Sequence, residues 1–319
     1  VVDRTWTYIG NVADPLRRSG SSPDRDASRN AASTLRERHG LTQPVDVAEL
    51  VSHYATLEEA NWPFTGVDGL SIDCGGLEPK IFYRSDVDRL RTRFTIAHEL
   101  GHVMLAWHFG DSECLLDRSN QTDPREVEAN AFAAELLMPE VWVADLMTEL
   151  RFDMTKVLSA LGQAETSVTA SLIALSSVLP VGWAFQMNNA DPILSQERRV
   201  IRRRELDATC HPGGVVTLHG QTVRWWRRFR REAMPELLSG RAEADEKLMR
   251  VAEMAGNAFT AHQLHSKIAG LMGAQKTRRL LAVPELAYSY AKWRLLTESA
   301  LQTTEFDSWL RWKLADFLE

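Results

Sequence analysis

A chain of 319 residues, 44% of them hydrophobic, is long enough for two or three domains and can bury a substantial core, which excludes a wholly disordered protein. Its formal net charge of -6 argues against a protein coated with nucleic acid, while leaving local basic patches open. The apolar stretch from Leu172 to Phe185 is broken by serines and Pro180 and falls short of the roughly 20 residues that cross a bilayer, and the chain opens without a signal-peptide pattern.

In chain order, residues 1–26 read as an N-terminal arm, in which Trp6 and Tyr8 precede the polar run 14–26. A helix is expected from Ala27 to Arg38, stopped at Gly40, and a second near Val45 with Asp46 at its acidic end. Gly69–Asp73 and Lys80–Tyr83 read as strands joined through Gly75 and Gly76. Helices are expected over 89–108, 124–138 and 140–150, with Pro139 ending the second. Residues 151–187 form a helical extension, with two short helices and a turn near Gly162 that resemble a helix-turn-helix fragment. From 188 to 319 a further region is expected, with strand-like runs at Val200–Ala208, Gly214–His219 and Thr222–Phe229. Helices then carry Trp293, Phe306, Trp309, Trp312 and Phe317 as core anchors.

The chemistry concentrates in the run Arg93 to His102. On a helix, His98 and His102 stand one turn apart and about 40° around the axis, so both imidazoles can bind one tetrahedral zinc. Glu99 flanks the same face, where it can take a proton from zinc-bound water attacking a peptide carbonyl and deliver it to the leaving nitrogen. Phe94, Ile96, Ala97, Val103 and Leu105 mark this helix as buried, and burying two histidines without partners is costly.

A third ligand must come from elsewhere. His108 has the spacing of a three-histidine site, but that geometry needs a sharp turn, usually through Gly. With Leu105 in that place the helix is expected to continue and to point His108 about 120° away from His102. The run Arg125 to Pro139 is a better source. Glu126 and Glu128 stand about 160° apart on it, so only one can face the metal. Glu126, at the helix start, is stabilised by solvent and the macrodipole, whereas Glu128 shares a side with Phe132 and Glu135, so Glu128 fits a buried ligand better. Glu135, one further turn along, is a candidate to hold a ligand histidine.

The segments RTRFTIAHELGH (91–102) and EVEANAFAAELLMP (126–139) resemble the signature of the ImmA/IrrE metallopeptidases, a likeness covering about residues 27–150. The resemblance implies an α+β protein with a mostly helical, zincin-like protease domain and a small sheet over 27–150. A separate α+β region over 188–319 is expected to regulate it or select substrates. It implies Zn2+ held by His98, His102 and Glu128, with Glu99 as general base. It also implies a bacterial cytoplasmic enzyme that cuts helix-turn-helix repressors of the XRE type, releasing genes of mobile elements or of the DNA-damage response. No convincing DNA-binding domain is read before the protease segment in these residues, so a separate repressor is the expected substrate.

Other features carry bland and functional readings side by side. The two strands could present an open edge for a stretched substrate, and Tyr83 could help polarise the scissile carbonyl. Cys74, Cys114 and Cys210 form no CxxC pair and read as reduced cytoplasmic thiols. Arg198–Arg204 and the run Arg224 to Arg231 interleave basic and aromatic residues. There Arg224, Arg227, Arg228 and Arg231 could contact nucleic acid or a regulatory partner, or the aromatics could pack inward. The alternative to an enzyme is therefore a DNA-binding or protein-interaction regulator that keeps an inert protease scaffold. No Gly-rich phosphate loop is present to support a nucleotide cofactor, and no membrane partner is expected.

Overall fold

The structure, a computed structural model, describes residues 22–62, 67–108, 110–115, 123–197, 201–256, 258–273, 279–295 and 297–317, without side chains for 110–115. Trp6, Tyr8 and Arg198 lie outside the described residues, as does the Cys114 side chain. Among the described residues the fold is α+β with two separate four-stranded sheets. Two compact units divide it: residues 1–142 with 161–174, and residues 143–160 with 175–319. The stretch 151–187 is thus shared between the units. Among the described residues no helix is long and apolar enough to cross a membrane.

In the first unit, α1 (Arg25–His39) starts where the Asp24 carboxylate accepts the Ala27 N–H, and it ends at Gly40, whose φ of 57° suits a residue without Cβ. Asp46 caps the short α2 (Val47–Ser52) in the same way. The strands β1 (Thr56–Glu59), β2 (Val67–Cys74), β3 (Lys80–Tyr83) and β4 (Gly110–Leu115) form one sheet in the order β1-β3-β2-β4. Only the β1–β3 pair is parallel. The expected open edge at Gly69–Asp73 and Lys80–Tyr83 is corrected here: both strands are central, with each side of their backbones taken up by a neighbour.

Asp88 caps α3 (Arg89–Met104), which carries both histidines of the motif. This helix is shorter than expected. Leu105 leaves it with φ -81° and ψ 104°, extended values that a non-glycine residue adopts without strain. The helix α4 (Pro124–Leu137) opens with Pro124 in its first turn behind the Asp123 cap, and ends at Met138, which Pro139 forces out of helical conformation. It lies between α1 and α3. Against α3 the approach is close: a Cβ on Gly101 would come within 3.2 Å of the Phe132 ring and 3.3 Å of the Ala129 Cα. Ala32, Leu35, Leu100, Phe132 and Leu136 from these three helices share one buried core with Ile81 of the sheet.

The helices α5 (Glu140–Glu149), α6 (Met154–Leu161) and α7 (Val168–Val178) follow. In the second unit, β5 (Trp183–Met187), β6 (Ile193–Leu194), β7 (His211–Leu218) and β8 (Gln221–Arg227) form an antiparallel sheet in the order β6-β5-β8-β7. The strand expected over Val200–Ala208 is instead largely the helix α8 (Arg203–Thr209), whose Leu206 is buried beside Ile201 and Trp226. The last helices are α9 (Arg241–Met254), α10 (Ala261–Gly273), α11 (Pro284–Arg294) and α12 (Thr304–Asp316). Phe306 and Trp309 are buried there as anchors, whereas Phe317 is 36% exposed and does not serve as one.

Candidate metal centre

Three potential ligands from two helices meet inside the first unit. His98 Nε2 lies 3.1 Å from His102 Nε2 and 3.2 Å from Glu126 Oε2, and His102 Nε2 lies 3.3 Å from Glu126 Oε1. Both histidines are fully buried and Glu126 is 7% exposed. Among the described residues this trio is the one cluster able to hold a metal ion. Ligand atoms about 2.0–2.1 Å from a tetrahedral zinc stand about 3.3 Å apart, so the trio has the right size. The donor chemistry also fits: two imidazole nitrogens and a carboxylate converge where a positive charge would satisfy all three.

Hydrogen bonds at the back of each imidazole favour this orientation. His98 Nδ1 sits 3.1 Å from Asn130 Oδ1, which can only accept, so the proton belongs on Nδ1 and the Nε2 lone pair faces the cluster. Burial works to raise the Glu126 carboxyl, but its close contacts with His102 and His98 outweigh burial and hold the group well below the usual carboxylate range. Burial lowers His102 to about 3. At His98 burial also pulls downward, but the nearby Glu126 and Glu99 carboxylates leave it raised overall before any metal binds.

The expected ligand Glu128 lies elsewhere, and the placement needs correction. Its Oε2 accepts from Trp107 Nε1 at 2.6 Å and faces His108 Nε2 at 2.9 Å, while its Oε1 accepts the Asp24 N–H at 2.6 Å. The inference from burial failed because α4 is covered on both sides, so Glu126 and Glu128 are both buried despite pointing apart. Asn130, one turn after Glu126, marks the face that meets α3; this i, i+4 pair is a signal the sequence did contain.

His108 is corrected as well. Because the chain turns at Leu105, it does not point away: its Nδ1 lies 2.9 Å from His102 Nδ1, on the side opposite the cluster. Glu135 does not meet a histidine. It accepts from Ser33 Oγ at 3.1 Å and from the Glu140 N–H at 3.3 Å, and burial raises its pKa. Tyr83 packs partly buried against the apolar core of its unit.

Glu99 is fully buried on α3, beside the metal trio. Room for it comes from the sheet, where Gly69 of β2 has no Cβ; one placed there would lie 2.5 Å from Glu99 Oε1.

In the second unit, Trp225, Trp226 and Phe229 are buried, so these rings have no faces for bases to stack on. Arg228 is paired with Glu197 at 2.9 Å and 3.3 Å, and burial lowers the pKa of the half-buried Arg227. Arg224 is half-buried on β8, and Arg231 is exposed. Cys74 and Cys210 are buried and not joined in a disulfide.

Residues 61–170 match a peptidase family described as the IrrE N-terminal-like domain. The radiation response metalloprotease IrrE of Deinococcus deserti is 33% identical over 129 residues, which cover 35% of this chain and 44% of that protein. Its counterpart of the same name in Deinococcus radiodurans is 36% identical over 99 residues, 28% of this chain and 29% of that protein. The chain spans less than half the length of either relative.

Proposed function

We propose that this chain, which carries a metallopeptidase domain of the ImmA/IrrE family over residues 61–170, is a zinc-dependent endopeptidase acting on a protein substrate. The observation that carries the reading is the convergence of His98, His102 and Glu126 within 3.1–3.3 Å, with Glu99 next to His98 on the same helix. Zinc bound to these three side chains would acidify water and polarise the scissile carbonyl. Glu99 then serves as general base: its carboxylate takes a proton from the attacking water and returns it to the leaving nitrogen. Its buried position keeps bulk water from competing for that proton.

The substrate in this reading is a helix-turn-helix repressor, by likeness to the family, and the setting is the cytoplasm. The edge strand β4 supports capture of an extended peptide, since among the described residues only β2 pairs with it. Residues 188–319 have the role of regulating the protease or selecting its substrate. Against the alternative of a DNA-binding module on an inert scaffold stands the burial of Trp225, Trp226 and Phe229 in the basic segment, which leaves base stacking there without support.

The decisive experiment compares wild type with Glu99→Gln for metal content and for cleavage of candidate repressors. About one zinc per chain in both proteins, with cleavage lost in the variant, is the expected result. Full cleavage by Glu99→Gln would overturn the mechanism, and wild-type protein that takes up no zinc would overturn the reading itself.

A further inference from the structure

The side of His102 turned away from the cluster is held by a chain of three hydrogen bonds that reaches another part of the unit. Glu128 Oε1 accepts the backbone N–H of Asp24, at the entry to α1, over 2.6 Å. Its Oε2 accepts the Trp107 indole N–H over 2.6 Å and faces His108 Nε2 over 2.9 Å. His108 Nδ1 in turn lies 2.9 Å from His102 Nδ1. Every group from Glu128 to His102 is buried.

The proton positions follow from this geometry. A carboxylate that accepts from an indole and a backbone amide acts as an acceptor toward the third partner too, so His108 Nε2 carries hydrogen. In a neutral His108 the other nitrogen, Nδ1, then has only a lone pair. The contact between the two Nδ1 atoms requires one hydrogen, which must come from His102. His102 therefore presents the Nε2 lone pair to the cluster. Reversing any one link would place an N–H where a metal has to bind.

We propose that His108 and Glu128 are positioning residues, which fix the tautomer and ring orientation of His102 and so set the affinity of the site for a divalent metal. This rests on the assignment of His98, His102 and Glu126 as ligands. The corresponding support for His98 Nδ1 is the Asn130 amide, so among the described residues the two histidines are held by different means. The turn at Leu105 makes the relay possible, since a continued helix would carry His108 to another side of α3. Asp24 ties the relay to the start of α1, so the packing of that helix and the orientation of the ligand are coupled.

The test uses the full chain freed of metal, titrated with zinc against a chromophoric chelator, with the visible spectrum of the cobalt-loaded protein as a second readout. His108→Phe keeps a ring but has no acceptor for the His102 N–H. It is expected to weaken zinc binding by roughly 10- to 100-fold and to alter the cobalt spectrum. In His108→Asn the amide oxygen can stand near the position of Nδ1, so most of the affinity should return. Zinc binding of wild-type strength in a folded His108→Phe would overturn the proposal, and so would equal losses in the Phe and Asn variants. If His108→Phe does not fold, Glu128→Gln tests the other end, because an amide cannot accept from all three donors; several-fold weaker binding is expected, and unchanged binding would overturn the proposal. Zinc affinity that survives Glu126→Ala undiminished would instead refute the ligand assignment beneath it.

Discussion

Gly69 and Glu99 occupy each other's space: a Cβ on Gly69 would lie 2.5 Å from Glu99 Oε1 and 2.8 Å from its Cγ. The strand β2 thus determines where the carboxylate of α3 can sit. The clash in Gly69→Ala falls on side-chain atoms alone, the Glu99 Oε1 and Cγ and the Thr95 methyl at 2.6 Å, and not on backbone. The fold is therefore expected to survive at a cost of about 1–3 kcal/mol. Cleavage should fall by at least about tenfold, because proton transfer requires hydrogen-bond reach. Zinc binding, which does not use Glu99, should stay near that of wild type. A Gly69→Ala protein with unchanged cleavage would show that the contact does not position the base.

Glu126 and Glu128, two of the three glutamates of α4, give a ranking. Glu126→Ala removes a carboxylate 3.2–3.3 Å from both histidine nitrogens and should abolish tight zinc binding. Glu128→Ala leaves the Trp107, His108 and Asp24 donors without their acceptor, which should cost about 1–3 kcal/mol of stability and weaken zinc without abolishing it. Competitive zinc titration and thermal melts of the metal-free proteins measure the two effects separately. Stronger zinc loss in Glu128→Ala than in Glu126→Ala would reverse the assignment.

The contrast between these residues shows what the sequence could and could not reveal. The His98-Glu99-His102 spacing carries its geometry within one helix, so it was legible directly. The starts of α3 and α4 were legible at 89 and 124, while α1 begins at Arg25, two residues before the expected Ala27. The choice between Glu126 and Glu128 depends on what covers each side of α4, and both α1 and α3 do so. Burial then no longer marks a single face, and the sequence argument lost its footing there. His108 was misjudged for a related reason: Val103 to Trp107 are good helix formers, but the tertiary contacts of Trp107 and His108 with Glu128 accompany an early end to the helix. The run Val200–Ala208 is expected as a strand, yet Arg203–Thr209 is a helix that buries Leu206 beside Trp226; its Arg, Glu, Leu and Ala are good helix formers.

In the second unit, Gly213 is set against the Trp225 ring, and a Cβ would lie 2.0 Å from the ring atoms Cε3 and Cζ3. The ring is buried, with its centroid 5.8 Å from that of Trp183, and has little room to retreat. Gly213→Ala is expected to lower the melting temperature through overpacking of about 1–3 kcal/mol, and to change tryptophan emission. An unchanged melt would mean that β7 can move away from the ring at little cost.

Glu135 supplies a pH-dependent prediction that is separate from the metal. Burial raises its pKa, and the bonds from the Glu140 N–H and Ser33 only partly oppose that. A carboxyl whose folded pKa lies above its unfolded value binds more protons in the folded state. Its contribution to stability is therefore greatest at acid pH and declines as pH rises from the unfolded value, about 4.3, through the raised one. At neutral pH the buried charge is a net cost. Glu135→Gln removes that charge and keeps one carbonyl oxygen to accept from Ser33 or from Glu140. Relative to wild type, the variant should gain melting temperature at pH 7, and the gain should shrink toward pH 4.5. Melts in the presence of a chelator keep metal release out of the comparison. A difference between the two proteins that stays constant from pH 4.5 to pH 7 would show that Glu135 does not titrate abnormally in the folded chain.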